Sequence, residues 1–186
     1  AASDVYKRQG WRGLVADAHD GHPIVGAELC ILVPSFDGTG ELARAVTDQE
    51  GRFTLDLADA PRDARLVVEG SLHATYEQPL PAPSVIRVAL VTRRRALLDR
   101  LVRWARVRGA PFDSSKEPTP GHVRRVASRT GAGTVESWAQ DIEHAAFGPM
   151  DVTREVEQGI VSAEPQGSGS ADLGARIGPG AGRDRE

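Results

Sequence analysis

The residues with the clearest metal-ligating chemistry lie in one short stretch near the start of the chain. His19 and His22 flank a glycine, and Asp17 and Asp20 lie beside them. Imidazole nitrogens and carboxylate oxygens are ordinary zinc ligands, so this spacing could hold a transition metal. Such a site needs ligands oriented on a rigid frame, and no second cluster of ligands occurs in the sequence. The pattern therefore favours a solvated turn, and we expect no metal.

Other residues with catalytic potential lack the neighbours that catalysis requires. Asp48 and Glu50 lie in a stretch that resembles half of a calcium loop, but the loop's spacing and distal glutamate are missing. Glu143 and His144 are adjacent on a predicted helix, where their side chains point about 100° apart. Cys30 lies in an apolar run and is predicted to be a buried hydrophobe. The HExxH, GxSxG and phosphate-loop motifs are absent, so we expect no catalytic residue, no cofactor and no enzyme.

Arginine dominates one predicted helix, over residues 93–108, which carries seven arginines against a single acidic residue, Asp99. One interpretation is contact with an anionic membrane surface or an acidic partner. Nucleic acid is disfavoured, because no aromatic platform accompanies the charges. The other interpretation, which we favour, is a helix that packs its Leu and Trp stripe and leaves the arginines in solvent. The residues assigned to the anionic contact are Arg93, Arg94, Arg95, Arg100, Arg103 and Arg106.

Short strand patterns separated by turn residues cover residues 11–91. Phe53, Leu55 and Leu57 alternate with polar residues, which is the signature of a strand with one solvated face. Turn signals recur at the spacing typical of a β-sandwich, about every 8–12 residues. The sequence therefore predicts a small antiparallel β-sandwich of about seven strands rather than an alternating βα fold.

Helical periodicity replaces the strand pattern from residue 93 onward and predicts a small helical region over 93–163. Thr119 precedes a proline and is predicted to cap one helix, and Thr134 is predicted to cap the next. A last short helix is expected to start at Asp151 or Thr153. The arginine-rich helix, these three helices and their connections make up the region.

Composition is that of a soluble globular chain, with 40% hydrophobic residues, a net charge of −3 and no apolar run long enough for a membrane span. The single cysteine excludes an internal disulfide. Residues 164–186 are rich in Gly, Ser, Arg and Asp, and they are predicted to be a disordered tail. Residues 1–10 lack apolar periodicity and are expected to be a non-native or disordered leader on a truncated chain.

Ten residues of the strand region match a family pattern in which a Gly-x-Val strand, a Gly-x-Pro-x-x-Gly-Ala turn and a Thr-Asp-x-x-Gly-x-Phe turn follow one another. By this pattern residues 11–91 resemble the carboxypeptidase regulatory-like domain. The resemblance implies a transthyretin-like β-sandwich without catalytic residues, in a supporting, binding or spacer role. The matching residues are Gly13, Val15, Gly21, Pro23, Gly26, Ala27, Thr47, Asp48, Gly51 and Phe53.

A second, weaker resemblance covers residues 93–163. A basic run at 93–95, the Thr119-Pro120 pair and the Phe147-Gly148 pair are similar to the C-terminal helical segment of bacterial transglutaminase-like membrane proteins. In that family the segment usually follows a membrane span. Here a predicted β-domain stands in its place.

These observations lead us to expect a non-catalytic accessory, binding or structural module of a bacterial protein, with an envelope-associated or extracytoplasmic location favoured. Its partner is expected to be a protein or a glycan. One alternative is a carbohydrate-binding module, which would stack exposed aromatic rings on sugars. Another is an adaptor that acts through the arginine-rich helix. The loops expected to face a partner are 17–23, 34–41 and 58–63, and the candidate ligand-facing aromatics are Trp11, Phe36 and Tyr76.

Overall fold

The computed structural model describes residues 9–36, 38–57, 59–114 and 116–166, which form seven strands and four helices. The number of strands agrees with the prediction. Residues 1–8 of the predicted leader and 167–186 of the predicted tail lie outside the described residues. The strands are β1 (Gln9–Asp17), β2 (Glu28–Ser35), β3 (Gly38–Val46), β4 (Arg52–Leu57), β5 (Arg65–Glu69), β6 (Tyr76–Pro79) and β7 (Val85–Leu90). The helices are α1 (Arg93–Arg108), α2 (Pro120–Thr130), α3 (Gly133–Phe147) and α4 (Arg154–Ser162).

The described strands form two sheets around one hydrophobic core. A three-stranded sheet has the order β4-β1-β7, and a four-stranded sheet has the order β3-β2-β5-β6. Four of the five pairings are antiparallel, but β1 and β7 run parallel. The prediction of an antiparallel sandwich is wrong at this pairing, because alternation within a strand does not reveal the direction of its neighbour. Parallel neighbours need a long connection, and here β2 to β6 supply it.

Alternation along each strand places the apolar side chains between the two sheets. In β4, Phe53 and Leu55 are buried while Arg52, Thr54 and Asp56 face solvent, which confirms the predicted solvated face. The burial pattern of β7 repeats this alternation. Each large side chain buried in this way contributes roughly 1.5–3 kcal/mol, so the core is the main stabilising element of the sandwich.

The Thr-Asp-x-x-Gly motif connects the four-stranded sheet to the three-stranded sheet. The Thr47 hydroxyl accepts from the Ala27 N–H at 2.8 Å and donates to the Ile24 carbonyl at 2.6 Å. The Asp48 carboxylate accepts two backbone N–H bonds of the turn that follows. Gly51 has a φ of 72°, a conformation that favours glycine. The motif therefore holds the connection between the two sheets in place.

The four helices pack around a second core. The rings of Trp104 and Trp138 lie 5.3 Å apart, and the Trp138 indole donates to the Ile160 carbonyl at 3.0 Å. Since Ile160 belongs to α4, this bond ties α4 to α3.

One of the two predicted helix caps, Thr119, agrees with the structure, and the last helix starts at Thr153, one of its two predicted positions. Thr119 and Thr153 each accept a backbone N–H of the first turn of α2 and α4. The prediction for Thr134 is wrong, because α3 already begins at Gly133 and its N-cap residue, Ala132, makes no side-chain bond. Gly131, in a left-handed conformation, ends α2 and lets the chain start the next helix almost at once.

A buried arginine joins the sandwich to the helical region. Arg93, at the first position of α1, is 5% exposed and donates to the carbonyls of Ser71 and Gly70. Its Nε lies 3.2 Å from a carboxylate oxygen of Glu157 in α4. The backbone N–H of Arg93 donates to the Leu72 carbonyl at 3.0 Å. A charged group buried at this depth requires such partners, so the guanidinium fastens α1 and α4 to the 70–72 loop.

A few residues that were assigned to the leader and to the tail have contacts with the folded regions. Gln9 and Gly10, assigned to the leader, are part of β1 and pair with β4. Residues 164–166, assigned to the tail, lie against α1, where the Trp104 indole donates to the Pro165 carbonyl at 3.0 Å. The periodicity of these short segments was too weak to reveal either contact.

Candidate functional site

The three loops expected to face a common partner lie at opposite ends of the sandwich. Antiparallel pairing places the end of β4 beside the start of β1, and the start of β5 beside the end of β2. Loops 34–41 and 58–63 therefore share one end, and most of 34–41 is a strand hairpin rather than a loop. Loop 17–23 lies at the other end, beside the start of α1. The loops predicted to face a partner therefore do not all lie at one end of the sandwich, and the strand register that separates them is not revealed by the sequence. Residues 37 and 58 of these loops lie outside the described residues.

The three candidate aromatics do not form a sugar-binding platform. Trp11 is 1% exposed in the sandwich core, and its indole donates to the Pro81 carbonyl at 2.9 Å. Tyr76 is half-buried, packs against the same core and donates to the Gln78 amide oxygen at 2.8 Å. Phe36, at the β2–β3 turn, is fully exposed. The assignment of Trp11 to a ligand surface is wrong, and one exposed ring remains.

The histidine-rich turn is closed by its own hydrogen bonds. Asp17 accepts from the His19 N–H at 2.7 Å, and Asp20 accepts from the His22 N–H at 2.9 Å. These bonds are the largest reason why the pKa of each carboxyl is below its usual value. The Asp20 side chain raises the pKa of His22. Within the described ranges no group of three or more His, Cys, Asp or Glu side chains is arranged to hold a metal.

Sequence reasoning missed His73, which completes this end of the sandwich. Its Nε2 lies 2.9 Å from the Asp17 carboxylate, and both side chains are largely buried. A cleft of about 640 Å³ opens beside the pair, between the 17–20 turn and the start of α1. The charges that line it are already matched, since Arg95 and Asp99 also form an ion pair at 2.9 Å. The cleft is therefore a poor candidate for recognising a charged ligand.

Most arginines of the arginine-rich helix bond to other groups of the same chain. Besides Arg93, which is buried, Arg94 donates to the Met150 carbonyl at 2.8 Å. Arg100 pairs with Glu164, and Arg95 pairs with its helix neighbour Asp99. Assigning Arg93 to an anionic surface is wrong, because its guanidinium is buried between the sandwich and the helical region.

Two of the six assigned arginines remain available on α1. Arg103 and Arg106 are exposed, and the described residues place no carboxylate at ion-pair distance from either. Two positive charges make a much weaker surface than the expected six. No helix in the described part of the chain is long and apolar enough to cross a membrane.

Cys30 is half-buried rather than fully buried. Its neighbours Leu29 and Ile31 point into the core, so alternation turns the cysteine toward the outer face of the four-stranded sheet. Burial, followed by the charge of Glu41, raises the pKa of its thiol. A thiol with a raised pKa stays protonated near neutral pH and is a weak nucleophile.

The outer side of the three-stranded sheet carries a cluster of arginines without acidic partners. Arg12 on β1, Arg52 on β4 and Arg87 on β7 all face solvent. Across the described residues, no carboxylate lies within ion-pair distance of any of the three. We call these arginines, together with Leu14 and Val85 between them, the arginine face.

The strand register brings these three arginines together. Leu14 is the direct neighbour of Arg52 on one side and of Arg87 on the other. Arg12 is two residues before Leu14, so it lies diagonally about 7–8 Å from each of the other two. Arg52 and Arg87 are two strand spacings apart, about 9–10 Å. A shallow depression of about 510 Å³ lies among them over the central strand, and Glu50 also lines it.

The close packing of β1 and β7 depends on a glycine. A Cβ atom at Gly13 would lie 1.8 Å from the Ile86 carbonyl oxygen. Since no side chain can occupy that space, only glycine lets β7 approach β1 at this level. Gly13 thus keeps Arg87 in the same face as Arg12.

The outer side of the four-stranded sheet has the opposite arrangement. Arg44 on β3 binds Glu28 at 3.0 Å and Glu41 at 2.7 Å. Arg65 on β5 binds Glu77 on β6. We call this surface the paired face.

The arginine face could have been found only in part from the sequence. The alternation in β4 and β7 already places Arg52 and Arg87 on solvated faces. What the sequence does not show is that strands far apart in the chain are neighbours on either side of β1. The convergence of the three arginines therefore required the tertiary structure.

No protein-family model and no curated protein matches the chain. Solved structures with partial similarity include the shaft pilin SpaA from Lactobacillus rhamnosus GG, at 15% identity and a TM-score of 0.32, covering 46% of this chain and 51% of the pilin. Transthyretin from Sparus aurata has 15% identity and a TM-score of 0.29, covering 44% of this chain and 90% of transthyretin. A 9R-lipoxygenase from Cyanothece PCC8801 has 15% identity and a TM-score of 0.33, covering 80% of this chain and 26% of the lipoxygenase.

The chain spans about half of the length of the pilin that it matches. At these TM-scores the similarities identify neither a family nor a function. Membership of the carboxypeptidase regulatory-like family therefore stays a prediction.

Proposed function

We propose that this chain is a non-catalytic binding module of a bacterial protein, and that it binds the acidic side chains of a partner protein through the arginine face. The observation that supports this most is the set of three solvated, converging arginines, none of which forms an ion pair with a described carboxylate, although Glu50 also lines the depression among them. On the other sandwich face, Arg44 and Arg65 are paired. Three like charges held within about 10 Å repel one another, so an acidic ligand relieves an unfavourable interaction as well as forming new bonds.

The chemistry of the arginine face favours a protein as the ligand. The guanidinium group is a planar fork that binds carboxylates through two parallel hydrogen bonds. Leu14 and Val85 provide an apolar centre among the charges, and arginine is enriched in protein interfaces. Phe53, which lines the depression, is only 5% exposed, so among the described residues this face offers no exposed aromatic ring on which a base could stack. That argues against single-stranded nucleic acid.

Two observations support a non-catalytic role. The His73–Asp17 pair, which resembles part of an acid–base dyad, is largely buried where the sandwich meets the helical region. The only thiol has a raised pKa. A location in the cell envelope is a further part of the proposal, supported by the sequence resemblance alone, and fractionation of cells that express the full-length protein tests it.

The experiment measures binding of the purified protein to immobilised poly-L-glutamate at low and moderate salt. We expect R12E/R87E to lose at least about tenfold in affinity, since hydrogen bonds to charged groups contribute 1.5–3 kcal/mol each. The matched control is R44E/R65E, which changes the net charge equally but lies on the paired face. Equal losses in both variants would show that only net charge matters and would refute the arginine face.

Parallel samples separate the other candidate partners. Anionic phospholipid vesicles and a single-stranded oligonucleotide are tested in the same buffer. A glycan array tests the carbohydrate-binding alternative, with Phe36→Ala as the variant that removes the exposed ring. Binding to vesicles, oligonucleotide or glycan that exceeds binding to poly-L-glutamate would overturn the assignment of a protein partner.

A further inference from the structure

The strand β7 has one backbone edge that no described strand covers. It lies at the end of the three-stranded sheet and pairs only with β1. The bonds from Arg12 N–H to the Ser84 carbonyl and from Ala18 N–H to the Leu90 carbonyl define which backbone groups of β7 face β1. By the parallel ladder, the N–H and C=O groups of Val85, Arg87 and Ala89 point the other way.

The other edge strands of the sandwich are better protected against pairing with an additional strand. The strand β6 is four residues long and ends in a proline, which has no N–H to donate. The edge strands β3 and β4 pack against each other at the corner where the chain changes sheets. By contrast, β7 has six residues without a proline or a bulge, and Val85 is 79% exposed beside the open edge. Such an edge is a template for another strand.

We propose that the acidic partner adds an extended segment to the open edge of β7 as a further strand of the three-stranded sheet. This proposal rests on the proposed function, because the same arginine face supplies the charge complementarity. A residue on the added strand next to Arg87 would have its Cβ about 4.5–5.5 Å away, which suits a glutamate or aspartate. Next to Val85, an apolar residue fits. The recognised segment therefore carries an acidic residue and an apolar residue two positions apart.

Charge also decides between an acidic segment and a second copy of this chain. Antiparallel pairing of β7 with the β7 of another copy would place Arg87 close to its own equivalent. Like charges at such a position destabilise the pair. An acidic segment reverses the sign of this interaction.

The test uses a peptide with blocked ends in which valine, glutamate and valine occupy alternate positions and threonines occupy the positions between and around them. In an added strand the valine, glutamate and valine would lie on the solvent side of the sheet, beside Val85, Arg87 and Ala89. Because this pattern reads the same both ways, the side chains align whether the peptide runs parallel or antiparallel to β7. Hydrogen exchange of the full chain is followed by NMR with and without the peptide. We expect the amides of Val85, Arg87 and Ala89 to gain at least about tenfold protection, because they would form new backbone bonds. Unchanged exchange at all three amides, with the peptide bound, would overturn strand addition.

Two peptides with a single N-methyl group provide the matched control. One is methylated at the glutamate and the other at the adjacent threonine, so that charge and sequence are identical. Because strand neighbours direct their amides to opposite sides, we expect one of the two to lose at least about tenfold in affinity and the other to bind normally. Equal binding of both would refute strand addition.

A chain variant separates failure of this inference from failure of the proposed function. If both methylated peptides bind normally and Arg87→Glu loses binding, the arginine face binds acidic groups without adding a strand. If Arg87→Glu binds the unmodified peptide as well as Arg65→Glu does, both the strand addition and the arginine face are refuted. A dimer that forms through β7 without peptide, detected by sedimentation, would assign the edge to a second copy and overturn the inference.

Discussion

The two outer faces of the sandwich use the same residue type in opposite ways. On the paired face, Arg44 and Arg65 are bound by carboxylates from neighbouring strands. On the arginine face, Arg12, Arg52 and Arg87 have no such partner among the described residues. An exposed ion pair contributes only about 0–1 kcal/mol, so the difference has little to do with stability. It separates a face whose arginines are paired within the chain from one whose arginines form no ion pair with a described carboxylate, and the second is the face that we propose binds a ligand.

The same comparison applies to the helical region. Its arginines are numerous, but Arg93 is enclosed at the joint and Arg100 is paired with Glu164. Density of charge in the sequence is therefore a poor guide to which arginines lack partners in the folded chain. Three arginines scattered over the strand region are exposed and form no ion pair with a described carboxylate, whereas only Arg103 and Arg106 of the six on the helix share both properties.

The substitution expected to change the arginine face most is at Gly13, the glycine that lets β7 pack closely against β1. Gly13→Ala would place a methyl group against the Ile86 carbonyl, and we expect it to lower the free energy of unfolding by about 3 kcal/mol, the upper part of the usual overpacking range. It would also displace Arg87 from the arginine face. The matched control is Gly40→Ala in β3, where the nearest side-chain atom would be 3.5 Å away. Urea unfolding measures both, and equal small effects would contradict the close packing.

The second effect concerns the connection between the two sheets. Thr47→Val keeps the shape of the side chain but removes the hydroxyl that bonds Ala27 and Ile24. We expect a loss of about 1–3 kcal/mol in the free energy of unfolding, because two buried backbone groups lose their partner. Thr54→Val on the exposed side of β4 is the control, with a change within about 0.5 kcal/mol. A similar result for both variants would mean that Thr47 is not needed to hold the sheets together.

A smaller effect should distinguish the arginines of the two faces directly. Arg65→Gln breaks an exposed pair with Glu77 and is expected to lower stability by less than about 1 kcal/mol, with the loss shrinking as salt is added. Arg87→Gln removes a charge that forms no ion pair with a described carboxylate and that has Arg12 and Arg52 nearby, so stability should stay the same or rise slightly. Thermal unfolding at low and high salt measures the difference. A larger loss for Arg87→Gln would show that the arginine face has internal partners.

The smallest effect is a change in a single titration on the paired face. Hydrogen bonds from Arg44 hold the pKa of Glu41 below its usual value of 4.5. The stabilisation that this lowered pKa reflects is therefore present above pH 4.5 and is lost as the pH falls through the lowered value. In Arg44→Gln, the pKa of Glu41 should return toward 4.5, as followed by NMR of the side-chain carboxyl. A pKa that does not move would show that Arg44 is not its cause.

Local patterns predicted the individual elements better than their arrangement. The alternation in β4 and the threonine caps of α2 and α4 involve groups within a few residues of one another, and both agree with the structure. Thr134 failed as a cap because a glycine turn let α3 start earlier. Sequence reasoning missed most of the candidate site. Trp11 lies in the sandwich core, and Arg93 is buried between the sandwich and the helical region. Burial of this kind depends on contacts with distant segments, which local patterns do not show.

The sequence by itself determined which side chains of each strand point inward, where most helices begin and that two regions of different periodicity follow one another. These properties depend on side-chain period and on capping bonds, which act over one or two turns of chain. Only the tertiary structure decided that β1 lies between β4 and β7, that β7 runs parallel to it, and that three arginines from positions 12, 52 and 87 meet on one surface. Strand order and direction follow from the packing of the whole core, in which segments far apart in sequence must fit together at the same time.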